Sequence, residues 1–270
     1  MKNELLTIGP FTLYGYGLMI AIGAISAYLM TEYRAKKKGL QYELIFSLFW
    51  WCLGGGILGA KLLYILTQMK NIVADPSIIL SDFSEGFVVY GGIIGGILGG
   101  FLFCKRHKIN FLKYFDIVMP SIALAQGFGR IGCLFAGCCY GEETNNAFSL
   151  VFHDSAYAPN NVHLIPTQPI SSALNFLNFF ALVFISKRIK ADGQVAGFYL
   201  IFYSVGRFII EFFRGDLERG SIGPLSTSQF ISIFLFAAGL GIVIIRGIQG
   251  RKALKEQLQE STDELTKEQE

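Results

Sequence analysis

A helical integral membrane protein with seven transmembrane segments is the fold class this sequence predicts. Three observations lead there. Of its 270 residues, 52% are hydrophobic and only 16% charged, whereas about a quarter of a typical soluble domain is charged. The apolar residues gather in seven runs, at roughly 13–31, 43–67, 87–104, 115–136, 168–186, 195–213 and 226–246. Each is close to the ~20 residues a helix needs to cross a bilayer. The basic residues gather in alternate connections between those runs.

That alternation sets the orientation. Sixteen of the 23 Lys and Arg lie at Arg34–Lys38, Lys105–Lys113, Lys187–Lys190 and in the tail from Arg246. The other ends and connections hold only Lys2, Lys70, Arg214 and Arg219. By the positive-inside rule the N-terminus is outside and the C-terminus cytoplasmic. The first span carries its basic cluster on the far side, the pattern of an anchor and not of a cleaved signal.

Spans two and three are rich in glycine, at Gly54–Gly56, Gly59 and Gly91–Gly100. Small residues four apart form a ridge that lets helix backbones approach closely. Close packing is the plain reading. Room beside the backbone for a lipid chain or headgroup is the functional one. After span four, residues 137–166 contain no Lys or Arg and are too long for a turn, so a small extracytoplasmic cap is expected, with a short strand over Ala147–Phe152. Residues 1–249 then form the membrane domain. Residues 250–270, charged and alternating in sign, form a cytoplasmic tail that is a frayed surface helix or disordered. Nothing points to nucleic acid as a partner.

Two arginines fall inside spans: Arg130 in Gly129-Arg130-Ile131-Gly132, and Arg207 in Gly206-Arg207-Phe208. A charge at mid-bilayer costs roughly 2.5–3.5 kcal/mol on insertion scales, so each needs a partner. The topology puts Arg130, Arg207 and Glu211 in the outer half of their spans, with Arg214 at an outer end. Lys61, Tyr16 and Tyr90 fall at the same level. Arg207 and Glu211, four residues apart, share a helical face. Four cations against one nearby Glu leave positive charge in excess, which calls for an anion; the alternative is an internal salt-bridge network with Lys61 and Arg214 snorkelling to the surface. At an outer leaflet that anion is a lipid phosphate, which arginine matches bidentately.

Five cysteines are present. Cys52 and Cys104 lie in apolar runs as small packing residues. Cys133, Cys138 and Cys139 cluster at the outer end of span four. Their spacing fits no zinc pattern and no His adjoins them. Packing is the leading reading and a disulfide outside the membrane the alternative. No metal or cofactor is expected.

In order along the chain stand Tyr14-Gly15-Tyr16-Gly17, Gly59-Ala60-Lys61, Gly86-Phe87-Val88-Val89-Tyr90-Gly91-Gly92, Gly129-Arg130-Ile131-Gly132 with a closing Gly141, Pro166-Thr167-Gln168, and Gly206-Arg207-Phe208 through Glu211 to Arg214. This ordered set resembles the prolipoprotein diacylglyceryl transferase family over roughly residues 9–246. The resemblance implies a bacterial inner-membrane enzyme. Its substrates are phosphatidylglycerol and a prolipoprotein whose signal peptide carries a lipobox cysteine. The diacylglyceryl group passes to that thiol as a thioether, and glycerol phosphate leaves.

By the same resemblance Arg130 and Arg207 stabilise the leaving phosphate and Glu211 orients an arginine. Tyr16, Lys61, Tyr203, Arg214, Gly91, Gly92 and Gly141 surround the lipid headgroup. The family's His before Gly-Gly, proposed as the thiol's base, is replaced here by Tyr90. Tyr90 either serves as a base with its pKa lowered by nearby arginines, or only binds the phosphate while the proton goes to water or to the leaving group. Where the family has Asn, Asn and Glu, this chain has Cys133, Ala136 and Cys138. Its His before Pro-Thr-Gln is Ile165, the Tyr-Glu that follows is Ile170-Ser171, and the Arg of its Gly-Ala-Arg is Lys61. His153 and His163 in the outer loop are solvated residues or stand-ins for the missing histidine. The competing readings are a non-catalytic or altered-specificity lipid-binding protein on the same scaffold and, third, a small-anion transporter. The latter lacks the expected internal repeat.

Overall fold

The computed structural model describes residues 3–8, 11–74, 86–189, 191–216 and 220–267. Lys2, Lys190 and Arg219, counted above for charge asymmetry, lie outside the described residues. Seven long helices fall on the seven apolar runs: α1 Gly15–Lys37, α2 Leu44–Thr67, α4 Val89–Arg106, α5 Phe111–Ala136, α6 Thr167–Ile185, α7 Gln194–Glu211 and α8 Thr227–Lys267, with a short α3 at Met69–Ala74. Four of them, α2, α5, α6 and α8 over Thr227–Lys252, are long and apolar enough to cross a membrane. Only 11% of the most apolar stretch of α2, and likewise of α8, is buried within the protein. Surface this apolar suits lipid as its solvent.

Helix ends differ from the sequence expectation for local reasons. α5 starts four residues early because the Asn110 side-chain oxygen accepts from Leu112 N (3.0 Å) and Lys113 N (3.3 Å), satisfying two of the orphan donors of its first turn. α1 continues to Lys37, with Arg34, Lys36 and Lys37 in its last turn, where cations suit the helix dipole. α8 runs without a break through 249–250. Among the described residues three antiparallel strand pairs accompany the helices: β1 Glu4–Ile8 with β2 Phe11–Tyr14 before α1, β3 Leu150–Val151 with β4 His163–Leu164 between α5 and α6, and β5 Ser221–Ile222 with β6 Leu225–Ser226 between α7 and α8. The strand expected over 147–152 is thus confined to two residues.

The chain divides into two compact units, Met1–Met30 with Phe115–Glu270, and Thr31–Tyr114. In the second unit α2 and α4 interlock through glycine. A Cβ on Gly59 would strike the Gly91 carbonyl oxygen, and one on Gly95 the Gly55 carbonyl oxygen. That contact fulfils the close-packing reading of the glycine runs.

The first unit is organised around a core of Met119 and Ala123 from α5, Phe179 and Leu182 from α6, and Val195, Ala196 and Tyr199 from α7. Asp116 ties two of these helices. Its buried carboxylate accepts from Gly193 N (2.7 Å) and Ala196 N (2.9 Å), capping α7 from a neighbouring helix at the end where a negative charge is favoured. At the other end of α5, a Cβ on Gly132 would lie 3.2 Å from the Tyr16 carbonyl oxygen and 3.3 Å from its ring. This seats the first turn of α1 beside the Arg130 segment.

Candidate active site

Arg130 stands six residues before the end of α5 and Arg207 four before the end of α7, about 9 Å and 6 Å below those ends at 1.5 Å per residue. Both line one cavity, with Tyr203, Gly206, Ser171, Asn175 and Asn178 among its walls. The two arginines differ in how they are held. Arg207 Nη2 meets Glu211 Oε2 at 2.8 Å and donates to Ser228 Oγ at 2.7 Å. The other Glu211 oxygen accepts from Ser226 Oγ at 3.0 Å. The side chains of this ion pair are 11% and 7% exposed, so it is a buried, oriented unit. The Arg130 guanidinium makes no hydrogen bond or ion pair with any described residue.

The count of surplus cations needs one correction. Arg214 is 6% exposed and forms a two-pronged ion pair with Asp216, Nε to Oδ1 at 2.7 Å and Nη2 to Oδ2. Asp216 lies beyond the span and was missed by counting acids only within spans. Among the described cations of the first unit's cavity, the charge in excess is that of Arg130.

Tyr203 stacks on Tyr199 with ring centroids 5.8 Å apart, and Tyr199 donates to Gln126 Oε1 at 3.1 Å. The Tyr16 backbone N–H donates to Asn3 Oδ1 (3.2 Å), and Tyr16 lies within electrostatic reach of Arg130 and the three clustered cysteines. Gly141 has no room for a side chain. Its Cβ would hit the Ile165 carbonyl oxygen and come within 2.9 Å of Phe213 O. It pairs across to Arg214 as an antiparallel bridge, so its place is structural, holding the loop after α5 against the chain after α7.

Lys61, Tyr90, Gly91 and Gly92 belong to the second unit. Lys61 Nζ lies 5.2 Å from the ring centroids of both Tyr64 and Phe87, and Tyr90 is 47% exposed. Gly91 packs against α2. His163 Nδ1 is 2.6 Å from Ser149 Oγ, and His153 Nδ1 is 2.9 Å from Asn161 Oδ1. Both histidines are thus bound within their own loop.

The wall from α6 was not anticipated. Ser171, Asn175 and Asn178 line the cavity at spacings of four and three, one face of a helix. The Asn178 side-chain oxygen is buried without a hydrogen-bond partner. A polar stripe on an otherwise apolar helix was the available signal.

Thr167 and Gln168 of the Pro-Thr-Gln motif are 2% and 1% exposed. They donate to the carbonyls of Cys139 (2.9 Å) and Cys138 (3.0 Å). The three clustered cysteines form no disulfide, and their sulfurs lie within 4.8 Å of one another. Hydrogen bonds from Cys133 and Cys138, then the charges of Arg214 and Arg130, pull the Cys139 thiol below its ordinary pKa against the cost of burial.

Helices with lipid-suited faces define a multi-pass membrane protein, and two arginines line one of its cavities. Sequence comparison makes this specific. Residues 3–245 match the family model described as prolipoprotein diacylglyceryl transferase, and the chain belongs to that family. It is 48% identical over 240 residues to the phosphatidylglycerol–prolipoprotein diacylglyceryl transferase of Clostridium tetani (strain Massachusetts / E88), covering 89% of this chain and 96% of the relative. It is 45% identical over 252 residues to the protein of that name numbered 2 in Clostridium perfringens (strain 13 / Type A), covering 93% and 98%. A Staphylococcus carnosus (strain TM300) relative of the same name is 30% identical, covering 88% of each chain.

Proposed function

We propose that this protein transfers the diacylglyceryl group of phosphatidylglycerol to the lipobox cysteine thiol of a prolipoprotein, forming a thioether and releasing glycerol phosphate. It does so as a seven-span protein of the bacterial plasma membrane, N-terminus outside and C-terminus cytoplasmic. The membrane domain is 1–249, the loop 137–166 its outer cap and 250–270 its cytoplasmic tail. The observation that carries the reading is Arg130. It is an arginine without a partner among the described residues, lining one cavity with an arginine that is held in place.

In this reaction the bond from the glycerol carbon to the phosphate oxygen breaks as the bond from carbon to sulfur forms. The departing phosphate gains negative charge. A free guanidinium can grip two of its oxygens, and in a site poor in water that grip strengthens as the charge develops. Arg207, oriented by Glu211 and Ser228, supplies a second fixed positive centre. Tyr203 and Tyr16 border the headgroup. Arg214 and Gly141 support the site's surroundings, and Lys61, Tyr90, Gly91 and Gly92 keep the roles the resemblance implies, Tyr90 as the thiol's base or as a phosphate-binding group. The test is complementation in cells depleted of their own transferase. Growth is expected, together with a diacylglyceryl mass increment on a lipobox protein. Correct membrane insertion without the increment would refute the reading.

A further inference from the structure

The cavity that holds Arg130 and Arg207 has a second polar wall, to which the proposed reaction gives no role. Ser171, Asn175 and Asn178 line it from α6. Two contacts fix that helix against the Arg130 segment. Ser172 Oγ donates to Gly127 O at 2.9 Å, and the Phe176 ring fills the space where a Cβ on Gly127 would go. Asn175 Nδ2 donates to Ser171 O at 2.7 Å, which holds its amide in place. Asn178 is 7% exposed, and its Oδ1 is buried with no hydrogen bond to any described residue. It stands 11 residues beyond the start of α6, about 16 Å along the helix.

The two walls ask for opposite things. A guanidinium has donors only, and takes acceptors that carry negative charge. A bare amide oxygen takes a donor, and leaving it unmade at membrane depth is costly. One ligand satisfies both when it carries an anionic phosphate and, a few bonds away, a neutral hydroxyl. Inorganic phosphate lacks the second function. An ammonium headgroup has donors, but it brings its charge toward two guanidiniums, and no carboxylate is among the cavity's described lining residues. The cavity spans about 370 Å³ with its open mouth, in the ordinary range of small-ligand sites.

We infer that Asn178 is a specificity-determining residue whose Oδ1 accepts a hydrogen bond from a hydroxyl of the lipid's glycerol headgroup, so that the α6 wall selects a phosphorylated polyol over other anionic headgroups. This rests on the transferase reading and names what its site recognises beyond the phosphate. Asn178 makes and breaks no bond. It holds the leaving side of the lipid while Arg130 and Arg207 hold the phosphate, which fixes the side from which the diacylglyceryl carbon meets the thiol. Without ligand the protein bears the cost of the bare oxygen, and the headgroup relieves it. Asn178→Leu therefore removes the discrimination without lowering the melting temperature. A residue that only packs would do the reverse.

The experiment compares two soluble esters of equal charge on the intact protein in detergent, by calorimetry. They are glycerol 1-phosphate and n-propyl phosphate, which lacks the hydroxyls. Wild type should bind the glycerol ester at least about tenfold more tightly. Asn178→Leu, with Asn178→Ala as a second variant should Leu not fold, should bind the two alike. Phosphatidylglycerol vesicles should displace the glycerol ester; failure to do so overturns the lipid headgroup as the occupant. Transfer to a lipobox peptide is measured in parallel from phosphatidylglycerol and from phosphatidylpropanol, and the preference for the first should collapse in the variant. Equal binding of the two esters by wild type, or a preference that survives in the folded variant, overturns the inference and leaves the transferase reading intact. A binding preference lost in the variant, with no transfer from either lipid, leaves the α6 site standing and counts against the transferase reading.

Discussion

In the proposed reaction Arg130 and Arg207 divide one task. Arg207 is fixed by Glu211 and Ser228, while Arg130 makes no hydrogen bond or ion pair with a described residue. Arg130→Lys keeps the charge but loses the planar fork that matches a phosphate, so activity should fall by about a hundredfold or more, near the value of Arg130→Ala. A lysine variant near wild-type rate would show that charge alone suffices. Glu211→Gln leaves the buried Arg207 without its counter-ion. Breaking such a pair costs about 3–5 kcal/mol, so both thermal stability in detergent and activity should drop. The four-residue spacing put Arg207 and Glu211 on one face, but the choice of Arg207 over Arg130 as Glu211's partner came from the structure. The pairing of Arg214 with Asp216 was overlooked because Asp216 falls outside the apolar run. The wall of Ser171, Asn175 and Asn178 was missed because each looked like an isolated polar residue in an apolar segment.

At the scale of elements, hydrophobic runs located every long helix, since an apolar segment of this length has few alternatives to a helix. The ends were less legible, because caps such as Asn110 act through single hydrogen bonds. The two-residue hairpins were almost invisible, being fixed by tertiary contacts and not by alternation. The α2–α4 contact gives a sharp expectation. Gly95→Val places a side chain against the Gly55 carbonyl and should destabilise the helix pair by about 1–3 kcal/mol, read as a lowered melting temperature. Gly54→Val, where no atom lies within 4 Å of the added Cβ, is the control. Asp116→Ala removes the cap of α7 from another helix and should cost about 1–3 kcal/mol; a neutral result would mean water replaces the carboxylate.

For the whole molecule, the basic residues gather in alternate connections between the apolar runs, and the proposed seven-span topology makes an accessible prediction. In a background with its own cysteines replaced, a cysteine at Gly39 should be labelled only from the cytoplasm and one at Asn146 only from outside. The reverse pattern would invert the orientation. The resemblance to the transferases was readable from an ordered set of short motifs. The meeting of three cysteine sulfurs was not, because a spacing of five and one says little until the loop after α5 is anchored by Thr167 and Gln168. The most direct test of the account is a single measurement. The purified protein is incubated with phosphatidylglycerol vesicles and a lipobox peptide, and the peptide is weighed by mass spectrometry beside an Arg130→Ala control. The account predicts a diacylglyceryl increment with wild type and at least a hundredfold less with the variant. An increment that survives Arg130→Ala undiminished, or none from folded wild type, would contradict it.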